Sequence, residues 1–478
     1  MKMKSILFVL SLFILSSCFN DTDDNGIFIG DINDFVWKGM NVFYLYKADV
    51  SDLANDRFTS DQEYTDYLNS FNSPETLFEG LIYERETVDK FSWIVDDYIA
   101  LEQLFDGIIR SNGMEFNLYL APGSSTEVFG AIRLVLPNSE ASEANLQRGQ
   151  IFNSVDGTML NDSNFQTLLG QDSYTIDLAT YNDNGTPQTS DDTIESDTES
   201  VLLTKVPYTE NPVFKTEIID VNGQNVGYLM YNGFVRDFES ELNAAFLTFA
   251  NANIQHLVLD VRYNPGGTIT VAANLGSMIT GQFTGQVFTK LEFNENFDTS
   301  FYNFESTISS GQGINSLNLN KVYVLTSGSS ASASEMVINS LKPYINVVQI
   351  GTTTTGKSQA SRTIYDSSDF NRQGANPNHT YAMQPLVAIS VNRNDGQVPS
   401  SGLVPNIEVT ESPIFFGEIG NPTEPLLAAA LDEIANGRSA TSIFESVEII
   451  GESNDLIPFS KEMYIDRDIP MLWNNNQE

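Results

Sequence analysis

The fold class is indicated most clearly by Lys321-Val-Tyr-Val-Leu-Thr-Ser-Gly-Ser-Ser-Ala-Ser332-Ala-Ser-Glu335-Met-Val-Ile338. An apolar run of β-type residues ends in a series of small side chains, and an apolar helical run starts directly after them. Strand-like and helix-like runs alternate in the same way between residues 208 and 410. Such alternation predicts βαβ units, and therefore an α/β core.

Ser332 would lie at the start of the predicted helix, a position that suits a nucleophile. The free backbone N–H groups and the positive end of the helix dipole favour an oxyanion there. Small neighbouring side chains would also let a substrate carbonyl approach the backbone. The same residues are equally typical of a plain helix cap after a Gly-rich turn, so this segment alone leaves both interpretations open.

The second informative stretch is Ile350-Gly-Thr-Thr-Thr-Thr-Gly356-Lys357-Ser-Gln-Ala-Ser361, in which a strand ends in a turn that displays one lysine. A serine hydroxyl needs a base, and a lysine can be that base when burial lowers its pKa toward neutrality. A lone lysine is more often a surface residue. Lys357 is therefore a candidate general base only if it lies beside Ser332.

This stretch also matches the phosphate-binding pattern G-x-x-x-x-G-K-[ST]. A phosphate-binding loop must open into a helix whose N-terminal amides hold the phosphates. Residues 359–365 are instead rich in β-branched and aromatic side chains and lack a helical stripe. We therefore expect the match to be a coincidence and the protein to have no nucleotide partner.

The third stretch is Leu257-Val-Leu-Asp260-Val-Arg262-Tyr-Asn264-Pro265-Gly266-Gly267, in which a strand runs into a tight turn before a helix. The proline fixes φ, and the glycines leave their N–H groups accessible. Such amides could supply one half of an oxyanion hole, with the N–H of Ala333 as the other half. The alternative is a plain strand-to-helix turn.

Composition excludes several classes of function. A net charge of −39 argues against nucleic acid as a partner, because phosphates need a basic surface. The single cysteine excludes an internal disulfide and a Cys-based zinc site. The two histidines, His256 and His379, lie at a strand entry and in a loop, which disfavours a Ser-His-Asp protease. We expect no metal and no cofactor.

The N-terminus indicates export. Residues 1–17 have a basic start and an apolar run that is too short to span a bilayer. They end in Leu-Ser-Ser before Cys18, a pattern like a bacterial lipobox. We expect Cys18 to be lipidated and to anchor the protein in the bacterial cell envelope, periplasmic or surface-exposed, through a polar tether at 18–30. An ordinary cleaved signal with a chance cysteine is the alternative.

Together, these segments resemble the C-terminal (tail-specific) processing serine peptidases of family S41. Residues 330–335 reproduce the family's S-A-S-A-S-E element around Ser332, and Lys357 follows 25 positions later in a G-K element. The D-x-R-x-N-P-G-G turn is present at 260–267, and a late G-x-x-P-[DN] element at 402–406. The resemblance implies a ClpP/crotonase-like catalytic core and an oxyanion hole formed by the amides of Gly266 and Ala333.

The resemblance extends upstream, where residues 142–157 are similar to the helix, strand and turn of a PDZ domain. PDZ domains bind a peptide C-terminus by strand addition. The implied carboxylate loop is Gly113-Met114-Glu115-Phe116, in which Glu115 replaces a usual glycine. Many family members carry a lysine-orienting Gln four residues after the lysine. Here that position is Ser361, and the nearest glutamine is Gln359.

The resemblance thus implies a multidomain α+β and α/β protein that acts as a lipid-anchored serine endopeptidase on exported or unfolded polypeptides, near their C-termini. The rival hypothesis is a non-catalytic peptide-binding lipoprotein that uses the PDZ-like cleft. An acidic run near residues 183–200 predicts a solvated hairpin loop, with calcium binding as the alternative. The predicted domains are helical N-terminal (31–109), PDZ-like and β-rich (110–207), catalytic (208–410) and C-terminal extension (411–478).

Overall fold

A computed structural model of the protein describes residues 29–186, 191–437, 449–457 and 460–469. The predicted signal peptide and Cys18 lie outside the described residues, as does most of the predicted tether. Helix α1 begins at Ile29, so the last two tether residues are helical. Within the described ranges, no helix combines the length and the apolar character needed to cross a bilayer.

The first part of the described chain is mainly helical. Ser60 and Ser73 accept hydrogen bonds from amides at the start of the helices that follow them, as N-caps do. The apolar face of the first helix packs into the same core as the central sheet. The elements are α1 (Ile29–Phe43), α2 (Asp61–Asn69), α3 (Pro74–Gly80), β1 (Trp93–Val95) and α4 (Tyr98–Phe105).

A β-rich part comes next and has a separate apolar core between its strands and one short helix. Its elements are β2 (Ile108–Ser111), β3 (Met114–Leu120), β4 (Val128–Val135), α5 (Glu140–Glu143), β5 (Ile151–Val155), β6 (Thr158–Met159), α6 (Phe165–Gly170), β7 (Ser173–Asn182), β8 (Thr193–Thr204) and β9 (Val206–Thr209).

Strands and helices then alternate, as the sequence predicts. The elements are β10 (Val213–Val221), β11 (Gln224–Tyr231), α7 (Glu239–Asn251), β12 (His256–Asp260), β13 (Gly267–Thr268), α8 (Ile269–Thr280), β14 (Val287–Phe293), β15 (Ser300–Asn303), β16 (Lys321–Thr326), α9 (Ala333–Leu341), β17 (Asn346–Gly351), β18 (Gln359–Ser361), β19 (Ile364–Tyr365), β20 (Ala382–Gln384), β21 (Leu386–Asn392) and β22 (Ile407–Glu408).

The chain closes with α10 (Pro425–Asn436), β23 (Ile449–Glu452) and β24 (Met463–Tyr464). Helix α10 packs its apolar side against the central sheet. The mixed α/β, multidomain expectation is confirmed by this arrangement of elements.

The central sheet gathers the three informative stretches at one edge. Its order is β10-β11-β12-β16-β17-β22, and every neighbouring pair except β10–β11 is parallel. Parallel strands end at the same edge of a sheet. The loops after Asp260, Thr326 and Gly351 therefore lie together, and these loops contain Gly266, Ser332 and Lys357.

Two further sheets each contain one strand from the C-terminal segment, which comprises the described residues 449–457 and 460–469. One has the order β13-β24-β18-β21-β14-β15, so that β24 lies between strands that flank the loops with Gly266 and Lys357. The other has the order β23-β3-β4-β5-β7-β8, with β6 paired to β5, so that β23 forms an edge. The predicted C-terminal extension is thus partly built into both sheets.

Candidate active site

Ser332 immediately precedes helix α9 and has a strained backbone. Its φ is 62°, a region that non-glycine residues seldom occupy and that costs about 1–3 kcal/mol. The side chain is fully buried, and no described residue hydrogen-bonds to its hydroxyl oxygen. A buried, strained serine with an unpaired hydroxyl is unusual as a structural cap and is typical of a nucleophile at a sharp strand-to-helix turn.

One buried carboxylate, that of Glu335, hydrogen-bonds to the backbone around Ser332 and to the backbone around Lys357. It accepts hydrogen bonds from the N–H groups of Ser332 (2.9 Å), Gly356 (2.7 Å) and Lys357 (2.9 Å). It also accepts one from the hydroxyl of Thr354 at 2.5 Å. Burial raises the pKa of Glu335, while these four bonds oppose that shift.

Sequence analysis assigned no role to Glu335, although the residue lies within the quoted motif. The signal that could have identified it is a lone acidic residue three positions after the N-cap residue, from where a carboxylate reaches back to the N-cap amide.

Lys357 is fully buried, and its amine is bonded to the C-terminal segment. The Nζ atom donates to the backbone oxygen of Lys461 at 2.5 Å and lies 3.3 Å from a carboxylate oxygen of Glu462. It also lies 4.8 Å from the ring centre of Phe91. Burial lowers the pKa of Lys357, and the negative charge of Glu462 opposes that shift. The amine and the Ser332 hydroxyl are not hydrogen-bonded to each other.

The Asn264–Gly267 turn lies directly against Ser332. A Cβ atom added to Gly266, whose φ is 121°, would lie 2.9 Å from the Ser332 Oγ and 2.3 Å from the backbone oxygen of Glu462. The Gly266 N–H donates to the side-chain oxygen of Asn264 at 2.9 Å, and the Gly267 N–H donates to the backbone oxygen of Glu462 at 2.6 Å.

Ala333, the other predicted oxyanion donor, is the first residue of α9, so its N–H has no acceptor within the helix. The structure therefore brings both predicted donor segments beside Ser332, with Gly267 rather than Gly266 donating to a carbonyl.

The two residues predicted to orient the lysine have different partners. The Ser361 hydroxyl donates to the Glu462 carboxylate at 2.6 Å and accepts from the Gln384 amide at 2.9 Å. The Gln359 amide donates to the hydroxyl of Tyr46 at 3.1 Å. Neither side chain hydrogen-bonds to the Lys357 amine, and Ser361 reaches it only through Glu462.

The predicted carboxylate loop is joined to its own neighbours and to the C-terminal segment. The Gly113 N–H donates to the hydroxyl of Ser111 at 2.9 Å, and the Met114 N–H donates to the side chain of Asn112 at 3.1 Å. The Phe116 N–H donates to the Ser453 hydroxyl at 3.3 Å. These three amides therefore have acceptors within the chain.

Glu115, the fourth member of that loop, lies 3.3 Å from the guanidinium of Arg133. Arg133 is fully buried and also contacts a carboxylate oxygen of Glu452, in β23, at 2.5 Å. Burial raises the pKa of Glu452, but the charges of Arg133 and Lys461 and the hydrogen bonds from Ser329 and Arg133 together lower it to about 2. Glu115, the negative side chain in the predicted loop, is thus one of two carboxylates beside the buried guanidinium of Arg133.

Other chemistries find no support in the described ranges. Strand β18 follows Lys357, where a phosphate-binding loop would need a helix. The rings of His256 and His379 bond to Gln224 and Asp366 rather than to Ser332. No group of three or more His, Cys, Asp or Glu side chains within these ranges could hold a metal ion.

Comparison with known proteins gives consistent matches. The profile described as Peptidase family S41 matches residues 225–409, and the Peptidase S41 N-terminal domain profile matches residues 31–93. The chain is 23% identical over 355 residues to a carboxyl-terminal-processing protease of Picosynechococcus sp., and the match covers 73% of this chain and 76% of that protein.

A second relative, a protein of Staphylococcus epidermidis described as a CtpA-like serine protease, is 30% identical over 146 residues, which covers 30% of this chain and 28% of that protein. Among solved structures, a candidate S41 protease from Bacteroides fragilis matches with a TM-score of 0.65 and 26% identity. That match covers 84% of this chain and 97% of the other chain.

Proposed function

The chain belongs to peptidase family S41, and from that premise we propose that it is a serine endopeptidase with Ser332 as nucleophile and Lys357 as general base. The observation that carries the proposal is the Glu335 carboxylate, which binds the backbone of both residues. A shared buried anchor holds the two loops in a constant relation, which a reaction between their side chains requires.

The proposed reaction is an acyl transfer to serine followed by hydrolysis. The Ser332 Oγ attacks the scissile carbonyl carbon while the neutral Lys357 amine takes its proton. The protonated amine then gives that proton to the departing amine of the substrate, and water cleaves the acyl-enzyme with the same lysine as base. Burial of Lys357 supports this role, because it lowers the pKa of the amine and favours the neutral form.

The proposed oxyanion hole consists of the Gly266-Gly267 turn and the N–H of Ala333. The family resemblance implies the amide of Gly266, and the bond from Gly267 to a backbone carbonyl supports the same turn. A side chain at Gly266 would collide with the Ser332 side chain, which explains the need for glycine there. Losing one such donor typically lowers the rate on the order of 10²- to 10³-fold.

We assign polypeptides as substrates, with the β-rich part acting as a PDZ-like domain beside a ClpP/crotonase-like core. Support comes from the edge of β3, which pairs with an added antiparallel strand, as PDZ domains do with peptides. Anchoring through a lipid on Cys18, a location in the cell envelope and a preference for exported or unfolded chains remain part of the proposal.

The test is cleavage of an unstructured protein by the wild type and by Ser332→Ala and Lys357→Ala. We expect each substitution to lower the rate on the order of 10³-fold or more, because the two groups act as one unit. Ser340→Ala is the matched control for the serine, because Ser340 is also buried on α9 with an unpaired hydroxyl. Lys342→Ala is the control for the lysine substitution, because Lys342 lies at the end of α9 opposite to Ser332. Cleavage that survives Ser332→Ala would contradict the proposal.

A non-catalytic peptide-binding protein is the second candidate. It is favoured by one observation: the Lys357 amine is bonded to the C-terminal segment and not to the Ser332 hydroxyl. This candidate predicts that peptides bind equally to the wild type and to Ser332→Ala, and that neither protein cleaves them.

A further inference from the structure

The C-terminal segment contacts the β-rich part through residues 449–457 and the candidate active site through residues 460–469. Its strand β23 adds antiparallel to the edge of β3, and a Cβ at Gly451 would touch both Leu118 of β3 and Phe165 of α6. The segment therefore lies between a strand edge and a helix, which is where an added peptide strand binds in a PDZ domain.

Further along, the segment crosses the candidate active site as an extended chain. Strand β24 pairs in parallel with β13, which begins directly after Gly266, and with β18, in which Ser361 pairs with Tyr464 four residues after Lys357. The backbone oxygen of Glu462 accepts from the Gly267 N–H, and the backbone oxygen of Lys461 accepts from the Lys357 amine. The segment thus binds to the candidate active site through backbone carbonyl groups, as a polypeptide substrate would.

The Glu462 carbonyl occupies a position that a substrate carbonyl needs. Its oxygen and the Ser332 Oγ both lie within 3 Å of the place that a Cβ on Gly266 would take, at 2.3 Å and 2.9 Å. A cavity of about 150 Å³ remains between the segment and the Gly266-Gly267 turn, with Glu462 and Tyr464 among its lining residues. While the segment is in place, the Gly267 N–H is occupied and cannot bind the carbonyl of a second polypeptide.

The side chain of Glu462 also acts against catalysis. It lies 3.3 Å from the Lys357 amine, and a carboxylate at that distance favours the charged ammonium. A general base must be neutral to take a proton. The carboxylate is itself held by bonds from Trp93 at 3.0 Å and Ser361 at 2.6 Å, so its orientation is well defined.

The contacts at both ends of the segment are specific, yet they can be released. At the first end, Glu452 contacts the buried Arg133 and lies 3.3 Å from Lys461. At the second end, the ring of Tyr464 stacks on Phe105 with centres 4.3 Å apart. The two strands are only four and two residues long, so few backbone bonds need to break for the segment to leave. Its departure also exposes Met463 and Ile465, which pack in the same core as the central sheet.

We propose that the groove between β3 and α6 and the cleft beside Ser332 form one continuous polypeptide-binding channel, and that the chain's own segment 449–469 is its resident occupant. The enzyme is latent while the segment is bound and becomes active when the segment leaves. This inference rests on the proposed function for its catalytic consequence, and on the contacts above for the occupancy itself.

The first test is the full-length Glu452→Lys variant, which sets a third cation beside Arg133 and Lys461. Amide hydrogen exchange should show loss of protection in β3 and in residues 449–452 together. Cleavage of an unstructured protein should rise at least tenfold in kcat/KM, because the channel is free. Glu199→Lys is the matched control: it makes the same charge change on exposed strand β8, away from the segment, and should leave both measurements unchanged.

If Glu452→Lys does not fold, Glu452→Gln is used instead. It removes the negative charge without adding a positive one, and so weakens the binding of the C-terminal segment to a smaller extent. Unchanged or reduced cleavage in a variant whose β3 edge exchanges freely would overturn the inference, and reduced cleavage would mean that the segment assists the reaction. Free exchange of β3 and residues 449–452 in the wild type would overturn it as well, because the channel would then be empty.

A binding experiment separates this inference from the proposed function. A labelled synthetic peptide of residues 449–469 is added to Ser332→Ala and to the Ser332→Ala, Glu452→Lys double variant. We expect at least tenfold tighter binding to the double variant, and weaker binding when the peptide itself carries Glu452→Lys. Equal affinities would overturn the occupancy. If the double variant binds the peptide as expected but Glu452→Lys cleaves nothing in a Ser332-dependent way, the proposed function fails and the occupancy stands.

Discussion

Arg262 and Lys357 are both fully buried basic side chains at the same edge of the central sheet, but they differ in where their counter-charges come from. Arg262 contacts three carboxylates: Asp260 at 2.8 Å, Glu424 at 2.6 Å and Glu411 at 3.0 Å. Among the described residues, Lys357 contacts one carboxylate, that of Glu462 at 3.3 Å, and this residue belongs to the C-terminal segment.

The difference follows from what the two groups can do with a proton. A guanidinium stays charged in proteins, so a buried arginine needs permanent carboxylates. The charges around it raise the pKa of Arg262 further, despite the opposing effect of burial. A buried amine can instead lose its proton, and burial lowers the pKa of Lys357. One site is therefore a fixed structural centre, and the other can exchange its partner.

The largest expected effect comes from breaking the fixed centre with Arg262→Met. Asp260 and Glu424 would lose this cation, while Glu411 would keep its contact with Arg148 at 2.6 Å. Leaving buried carboxylates uncompensated in this way typically costs about 3–5 kcal/mol in the free energy of unfolding. Urea unfolding measures the loss. The control is Arg57→Met, because Arg57 pairs with Asp52 and Glu63 at the surface, where ion pairs add little. Similar losses of unfolding free energy in Arg262→Met and Arg57→Met would contradict the view that Arg262 is a fixed structural centre.

A smaller effect is expected from Lys357→Met, and it should depend on pH. The unfolded lysine keeps its proton up to about its ordinary pKa of 10.5, whereas the folded one loses it at a lower pH. Within that interval the unfolded state binds more protons, so the wild type gains stability over the variant as pH rises, by at most about 1.4 kcal/mol per pH unit.

Unfolding free energies of the wild type and of Lys357→Met at several alkaline pH values measure this gain. The exposed Lys90→Met is the control and should show a constant difference from the wild type. A constant difference for Lys357→Met would mean that the amine titrates alike in both states.

The sequence predicts the central sheet well because its evidence is local. The strand-to-helix pattern, the small residues before Ser332 and the glycines after Pro265 all lie in continuous stretches, and a parallel sheet then brings its carboxyl ends together. The relation between Ser332 and Lys357 was predicted from their spacing and from resemblance, and the carboxylate of Glu335 supplies the physical connection.

The C-terminal segment was not predictable in the same way. Strands β23 and β24 are four and two residues long, too short for an alternating pattern to be informative. Their pairing partners lie hundreds of positions away in sequence, so only the folded chain brings Glu452 to Arg133 and Glu462 to Lys357. The presence of Glu115 in the predicted loop was the one local sign that a cation lies nearby.

The smallest expected effect distinguishes the two candidates for orienting the lysine. Ser361→Ala removes a 2.6 Å bond to the Glu462 carboxylate, and bonds to charged groups contribute about 1.5–3 kcal/mol. Gln359→Ala removes only a 3.1 Å bond to Tyr46, for which about 0.5–1.5 kcal/mol is usual. Urea unfolding should therefore rank Ser361→Ala below Gln359→Ala in stability.

Because Ser361 reaches the lysine only through Glu462, its loss should also deprotect residues 463–464 in hydrogen exchange, which Gln359→Ala should not do. The reverse order would assign the supporting role to Gln359.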